Sequence, residues 1–279
     1  VGHDCLEQNT GGNNTGVGFE ALKATTSGGD NTSLGAHSLS TNTTGQYNTA
    51  VGQAALNLNT TGDSNTALGQ GSLRANTTAD ANTAVGKDAL TANTTGQQND
   101  AFGYTTMDAQ TTGSYNAAFG ALSATSLDGG NRNTFCGNSS GSGLTTGSDN
   151  TFIGFKAGNS TTTADNNTAI GKEALYTNTT GASNVAVGRE SLYANQTGAE
   201  CVAVGYQAGQ DNTTHHLAAF GYRACANVTT GQSNTGVGHQ ALENCTTGEN
   251  NTAIGQNSGS ASSPSGNITT GDNNFVLGN

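Results

Sequence analysis

A glycine preceded by a bulky apolar residue recurs every 17 residues along this chain. The pairs end at Gly2, Gly18, Gly35, Gly52, Gly69, Gly86, Gly103, Gly120, Gly137, Gly154, Gly171, Gly188, Gly205, Gly221, Gly238, Gly255 and Gly278. All intervals are 17 except two of 16 and one of 23, the last spanning the single proline, Pro264. The fullest unit reads N-T-A-V-G-x-x-A-L-x-x-N-T-T-G-x-x. A fixed period of this length specifies a repeat architecture, in which one supersecondary unit buries its apolar face against the next copy. In such a chain a site is a surface before it is a pocket.

The composition supports order without a conventional globular core. Charged residues make up 10% of the chain and aromatics 5%, with 42 glycines and no tryptophan. Disordered chains are also poor in apolar residues, but they are typically charged and aperiodic; here the apolar residues keep register. A formal charge of −11 with 8 Lys+Arg disfavours nucleic acid and anionic membrane surfaces, both of which need a basic patch. No run of 18 apolar residues exists, so no membrane-inserted helix is expected. The chain opens inside one repeat (Val1-Gly2) and closes inside another (Leu277-Gly278-Asn279), which reads as a window on something longer. Residues 1–279 form one continuous array, with irregular coils near 127–146, 211–217 and 256–272.

With the glycine as column zero, column −1 is apolar throughout, from Val1 to Leu277, and mostly β-branched or aromatic, as in a strand. Column −3 is usually Thr and shares a strand face with it. These two columns are expected to face inward. Column −2 (Ala50, Ala67, Ala84, Ala101, Ala118) is small and expected on the opposite face, where another coil or a second chain approaches. At +4, Leu22, Leu39, Leu56, Leu73, Leu90, Leu175, Leu192 and Leu242 form a second interior column, reduced to glycine at Gly141, Gly158, Gly209 and Gly259. T-T-G closes the coil. Asn opens the next strand at Asn31, Asn48, Asn65, Asn82, Asn99, Asn116, Asn133, Asn150, Asn167 and Asn184, and stacked asparagines form amide ladders. Ring pairs Phe102/Phe119, Tyr176/Tyr193 and Tyr206/Tyr222 are one coil apart. The period and the Thr/Asn/Gly content exclude helix and predict an all-β parallel β-solenoid or β-roll of about sixteen coils.

Five cysteines do not suggest a disulfide framework. Cys136 and Cys225 occupy apolar slots and Cys5 a small one, so these three read as buried small hydrophobes. Cys201 and Cys245 occupy polar columns 44 residues apart in sequence.

The V-G-x-x-A-L and N-T-A-V-G units resemble repeats in the heads of YadA-type trimeric autotransporter adhesins. They resemble more closely the N-T-A-x-G…N-T-T-G arrays of tail-fibre-like proteins. The likeness spans Val1 to Asn279, although adhesin heads use a shorter repeat, and no stretch within these 279 residues resembles a chaperone domain or an anchor. It implies a left-handed roll, commonly trimeric, in a surface-exposed fibre. The partners it implies are copies of the same chain (a homotrimer or filament) and a host-surface receptor or glycans. No cofactor is expected, and the location is extracellular, on a cell or virion surface. A weaker similarity is to hexapeptide acyltransferases, as in Val17-Gly18 to Leu22, and reads as shared β-helix physics.

Asn-x-Ser/Thr sequons fall in one column, seven after the glycine, at Asn42, Asn59, Asn76, Asn93, Asn178, Asn195 and Asn212. In a eukaryotic secretory context they would line an edge with N-glycans; alternatively Asn-Thr-Thr is turn chemistry. Catalysis has little support. His3, His37, His215, His216 and His239 lie in different columns with no consistent carboxylate neighbour. Asp63, Asp80, Asp165 and Glu249 share a turn column, and no nucleophile, Walker or zinc-ligand spacing appears. Ice binding is an alternative from another class, favoured by low charge and abundant Thr. Against it stands the expectation that the Thr column faces inward.

Overall fold

A computed structural model describes residues 1–263 and 266–278; Pro264 lies outside them. Among the described residues there are sixteen three-residue strands and no α-helix. The chain divides into two compact units, Val1–Asn138 and Ser139–Asn279. The first holds β1 (Thr15–Val17), β2 (Thr32–Leu34), β3 (Thr49–Val51), β4 (Thr66–Leu68), β5 (Thr83–Val85), β6 (Asp100–Phe102), β7 (Ala117–Phe119) and β8 (Thr134–Cys136). The second holds β9 (Thr151–Ile153), β10 (Thr168–Ile170), β11 (Val185–Val187), β12 (Val202–Val204), β13 (Ala218–Phe220), β14 (Thr235–Val237), β15 (Thr252–Ile254) and β16 (Phe275–Leu277). Within each unit every strand pairs in parallel with the next in chain order. Equivalent columns lie opposite one another, as in Thr49↔Thr66 and Val51↔Leu68. This is a parallel β-solenoid with one repeat per coil.

The 17-residue glycine is fixed by close approach of neighbouring coils. A Cβ on Gly52 would lie 2.5 Å from the carbonyl oxygen of Gly69 and 2.6 Å from its carbonyl carbon, and Gly52 has φ 133°. Both the contact and the backbone exclude a side chain. Past the glycine, the residues at +2 and +4 take left-handed backbone, as Ala54 (φ 54°) and Leu56 (φ 51°) do, and a third corner stands at −5, as in Tyr47 (φ 58°). Left-handed backbone costs a non-glycine residue roughly 1–2 kcal/mol. Full burial of a leucine contributes about 1.5–3 kcal/mol, and Leu39, Leu56, Leu73 and Leu90 are completely buried. The core side chain thus offsets the corner that holds it.

The strand faces are the reverse of the sequence expectation. Each strand has a buried middle residue and two flanking residues that are exposed or half-exposed, except in β16, where the middle residue is half-buried as well. Ala50, Ala67, Ala84, Ala101 and Ala118 are fully buried, whereas Val17, Leu34 and Leu68 on column −1 are exposed. The physical reason is the width of the coil. The inward position of the strand abuts the +4 side chain: a Cβ on Gly236 would lie 2.5 Å from Cys225 Sγ, and one on Gly16 would lie 3.1 Å from Leu6 Cγ. With leucine at +4, only alanine, serine or glycine fits at −2.

The glycines at +4 obey the same volume rule. At Gly158 a Cβ would meet ring carbons of Phe152 at 2.5 Å, because phenylalanine here occupies the inward slot usually held by alanine. At Gly209 the space is taken by Leu217, 2.6 Å from such a Cβ, and at Gly259 by Leu242 at 2.9 Å and Ile268 at 3.2 Å. Phe152 and Leu217 are buried to within 1% and Ile268 is 8% exposed. Much of the irregularity near 127–146, 211–217 and, among the described residues, 256–272 is therefore repacked interior. Leu127 and Leu144 likewise replace asparagine in the +7 column and are fully buried.

The expected strand-opening ladder is present. In the first unit Asn48 N–H donates to Asn31 Oδ1 at 2.9 Å, and Asn65 N–H to Asn48 Oδ1 at 2.9 Å. Each amide also donates across the coil, as Asn48 Nδ2 does to Gly62 O at 2.8 Å. In the second unit the register survives the long insertion, since Asn274 N–H donates to Asn251 Oδ1 at 2.9 Å.

Candidate functional surface

Because the strand faces are reversed, the side chains presented in regular rows to solvent are those of columns −3 and −1. In the first unit the −3 row runs Thr15, Thr32, Thr49, Thr66, Thr83, Asp100, Ala117 and Thr134, beside Val17, Leu34, Val51, Leu68, Val85, Phe102, Phe119 and Cys136. In the second unit the rows change character at β11–β13. Val185, Val202 and Ala218 lie beside Val187, Val204 and Phe220, giving a patch with no polar side chain; Val204 is 36% exposed and Phe220 40%. Among the described residues Asp100 is the one charged side chain in either row of either unit. The aromatic pairing expected from the spacing is observed: Phe102 and Phe119 stack at 4.9 Å, Tyr176 and Tyr193 at 5.1 Å, and Tyr206 and Tyr222 at 5.3 Å. Tyr222 continues onto His239 at 4.9 Å, and Arg189 caps Tyr206 at 5.7 Å.

Cys136 is exposed on this surface, not buried, because it belongs to column −1 and shares that column's orientation. Cys225, at the leucine position, is buried as expected. Cys201 and Cys245 are also buried, each substituting for an interior asparagine. Burial pushes all three buried thiols above the ordinary cysteine range. All five cysteines are free.

The seven sequon asparagines do not line an exposed edge. Asn42, Asn59, Asn76, Asn93, Asn178, Asn195 and Asn212 are fully buried. Their amide nitrogens, the atoms a glycan would occupy, are already donors within the coil: Asn42 to Gly45 O at 3.0 Å, Asn178 to Gly181 O at 3.0 Å, Asn195 to Gly198 O at 2.9 Å and Asn212 to Thr214 O at 2.8 Å. In the first unit they also form a second ladder. Asn59 donates to Asn42 Oδ1 at 2.9 Å, Asn76 to Asn59 at 2.9 Å and Asn93 to Asn76 at 3.1 Å. A glycan on any of them requires the coil to open. The ladder fails at Gln110, whose amide atoms are buried without a partner, as is Asn93 Oδ1. Lengthening the side chain by one methylene misplaces the amide.

The histidines are paired more than their columns suggested. His37 Nδ1 lies 3.1 Å from Glu20, His216 Nε2 lies 3.3 Å from Glu200, and His3 Nδ1 lies 2.9 Å from Asp4. His215 Nδ1 accepts the Ala199 N–H at 3.0 Å. Lys23 binds Glu20 at 2.8 Å and Asp4 at 3.0 Å, and its hydrogen bond holds the Glu20 carboxyl below its ordinary range. These are surface contacts, and the Lys23 ion pairs among them are of small energetic value. Three acidic residues of the turn column, Asp63, Asp80 and Asp165, each tie their turn to the one before it. Asp63 Oδ1 accepts Gln46 N–H and Asp80 Oδ1 accepts Asp63 N–H, both at 2.7 Å, and Asp165 Oδ1 accepts Ser148 N–H at 2.7 Å. Among the described residues no three His, Cys, Asp or Glu side chains converge as a metal site, and no helix is long and apolar enough to cross a membrane. A comparison with protein-family models gives no match, and neither does a comparison with curated proteins.

Proposed function

We propose that this chain is a non-enzymatic structural segment of an extracellular or virion-surface fibre that associates with further copies of itself through the outward strand face, centred on β11–β13. The carrying observation is the accessible patch of Val185, Val187, Val202, Val204, Ala218 and Phe220. Exposed apolar side chains gathered into one patch favour burial against a partner. A second copy fits best for two reasons. The rows repeat at the strand spacing of about 4.8 Å, a period that the same strands of another copy match. The near absence of charge in the rows also removes the repulsion that a chain of net charge −11 would otherwise bring to self-contact. Fibre adhesion to a host receptor or glycan would add many weak contacts from exposed corners, gaining strength by repetition.

Sedimentation equilibrium of the full chain tests the reading. It predicts a mass that is a multiple of 27.7 kDa, reduced to one chain by Val202→Lys combined with Phe220→Lys while the circular dichroism spectrum is unchanged. A wild-type chain that stays monomeric at high micromolar concentration sinks it.

A further inference from the structure

The outward turn of the Thr column gives the first unit a surface unlike that of β11–β13. Over β1–β5 the −3 row is five consecutive threonines, Thr15, Thr32, Thr49, Thr66 and Thr83, and the −1 row is entirely aliphatic: Val17, Leu34, Val51, Leu68 and Val85. The ladder holds them in register, Thr opposite Thr and aliphatic opposite aliphatic. The five Thr Oγ1 atoms make no hydrogen bond to any described residue, whereas turn threonines do, as Thr43 Oγ1 does to Thr60 O at 2.9 Å. The hydroxyls of the row are left to solvent.

We propose that this face of β1–β5 binds ice. Adjacent hydroxyls in the row are one strand spacing apart, about 4.8 Å, and the two rows are two residues apart along the strand, about 6.6 Å. Threonine has few χ1 choices, and each hydroxyl offers one donor and two acceptor positions. The result is a stiff two-dimensional array of hydrogen-bonding groups flanked by aliphatic side chains that fill the spaces between water rows. Liquid water loses mobility when it orders on such an array, whereas molecules at an ice surface have lost it already, so the array favours the solid. A protein partner would have to pair five hydroxyls at this spacing. A crystalline polysaccharide is normally gripped by aromatic faces and amide or acid side chains, and none stands in either row of β1–β5. The face ends at Asp100 in β6, where the row becomes charged.

The test is thermal hysteresis of the purified full chain at millimolar concentration, read beside the sedimentation measurement. Hysteresis well above the colligative baseline is expected, with its loss in Thr49→Lys at the centre of the row. Val202→Lys combined with Phe220→Lys should keep the hysteresis whatever it does to self-association, which separates this proposal from the previous one. Hysteresis at the baseline for the wild-type chain overturns the proposal, including the case in which a second copy covers the face. Equal hysteresis in wild type and a folded Thr49→Lys overturns it as well.

Discussion

Replacing Gln110 by asparagine should stabilise the first unit, although the residue is fully buried and the change removes a methylene. In the coils before it, an asparagine at this position donates to the preceding asparagine and across its own turn, as Asn76 does to Asn59 Oδ1 at 2.9 Å and to Ala79 O at 3.0 Å. Gln110 does neither, and three polar atoms (its Oε1 and Nε2, and Asn93 Oδ1) are buried without partners. Restoring two neutral hydrogen bonds contributes about 0.5–1.5 kcal/mol each and also relieves buried unpaired groups. Against this stands the loss of one buried methylene, about 0.8 kcal/mol. The net is a gain of roughly 1 kcal/mol, a rise in melting temperature of about 2–4 °C for a unit of this size. Urea unfolding followed by circular dichroism would measure it. The mirror substitution, Asn76→Gln, breaks the same two bonds in an intact stretch and should cost more than the first gains. A Gln110→Asn protein less stable than wild type, or a neutral Asn76→Gln, would refute the ladder energetics.

Other substitutions read different parts of the coil. Ala67→Leu forces a large side chain into the slot beside the +4 leucine and should cost about 1–3 kcal/mol, while Val51→Ala on the outward row should cost well under 1 kcal/mol by thermal melt, the opposite order to that expected from side-chain size alone. Gly52→Ala brings a Cβ within 2.5 Å of the next coil's backbone and should unfold its neighbourhood, whereas Gly12→Ala, with nothing within 4 Å, should be near neutral; proteolysis of the two variants compares them. Because burial raises the folded-state pKa of Cys201, Cys225 and Cys245, their contribution is complete below the unfolded value of about 8.5 and is lost as pH climbs above it. Chemical denaturation at pH 8 and pH 10 should therefore show falling stability, with Cys225→Ala flattening the fall.

Much of the coil is legible in the residues themselves. Gly52 and its equivalents mark the coil boundary because no other residue tolerates both the backbone and the contact. Leu56 and its equivalents mark the interior because no other large apolar column lies between the glycine and the T-T-G turn. The strand-opening asparagines follow from the same stacking. The orientation of the strand is not legible in this way. Alternation shows that Thr49 and Val51 share a face opposite Ala50, but not which face is inside. Hydrophobicity favours Val51, and the narrowness of the coil, a tertiary property, overrides it. The Asn42 column reads as a turn because Asn-Thr-Thr is turn chemistry; only the stacked coils show its amide bonding inward. The exchange between Gly158 and Phe152 is invisible column by column, since each looks like a lapse when taken alone.

The outward strand face is the surface proposed to meet a partner. In a background with both accessible native cysteines replaced (Cys5→Ser and Cys136→Ser), cysteines introduced one at a time at Val202, Ala203 and Val204 can be followed by their rate of reaction with a maleimide, under reducing conditions, at high dilution and at high micromolar concentration. The predicted result is fast labelling at 202 and 204 when dilute, strong protection of both when concentrated, and no labelling at 203 until the protein is unfolded. Rapid labelling at 203, or rates at 202 and 204 that do not change with concentration, would contradict it.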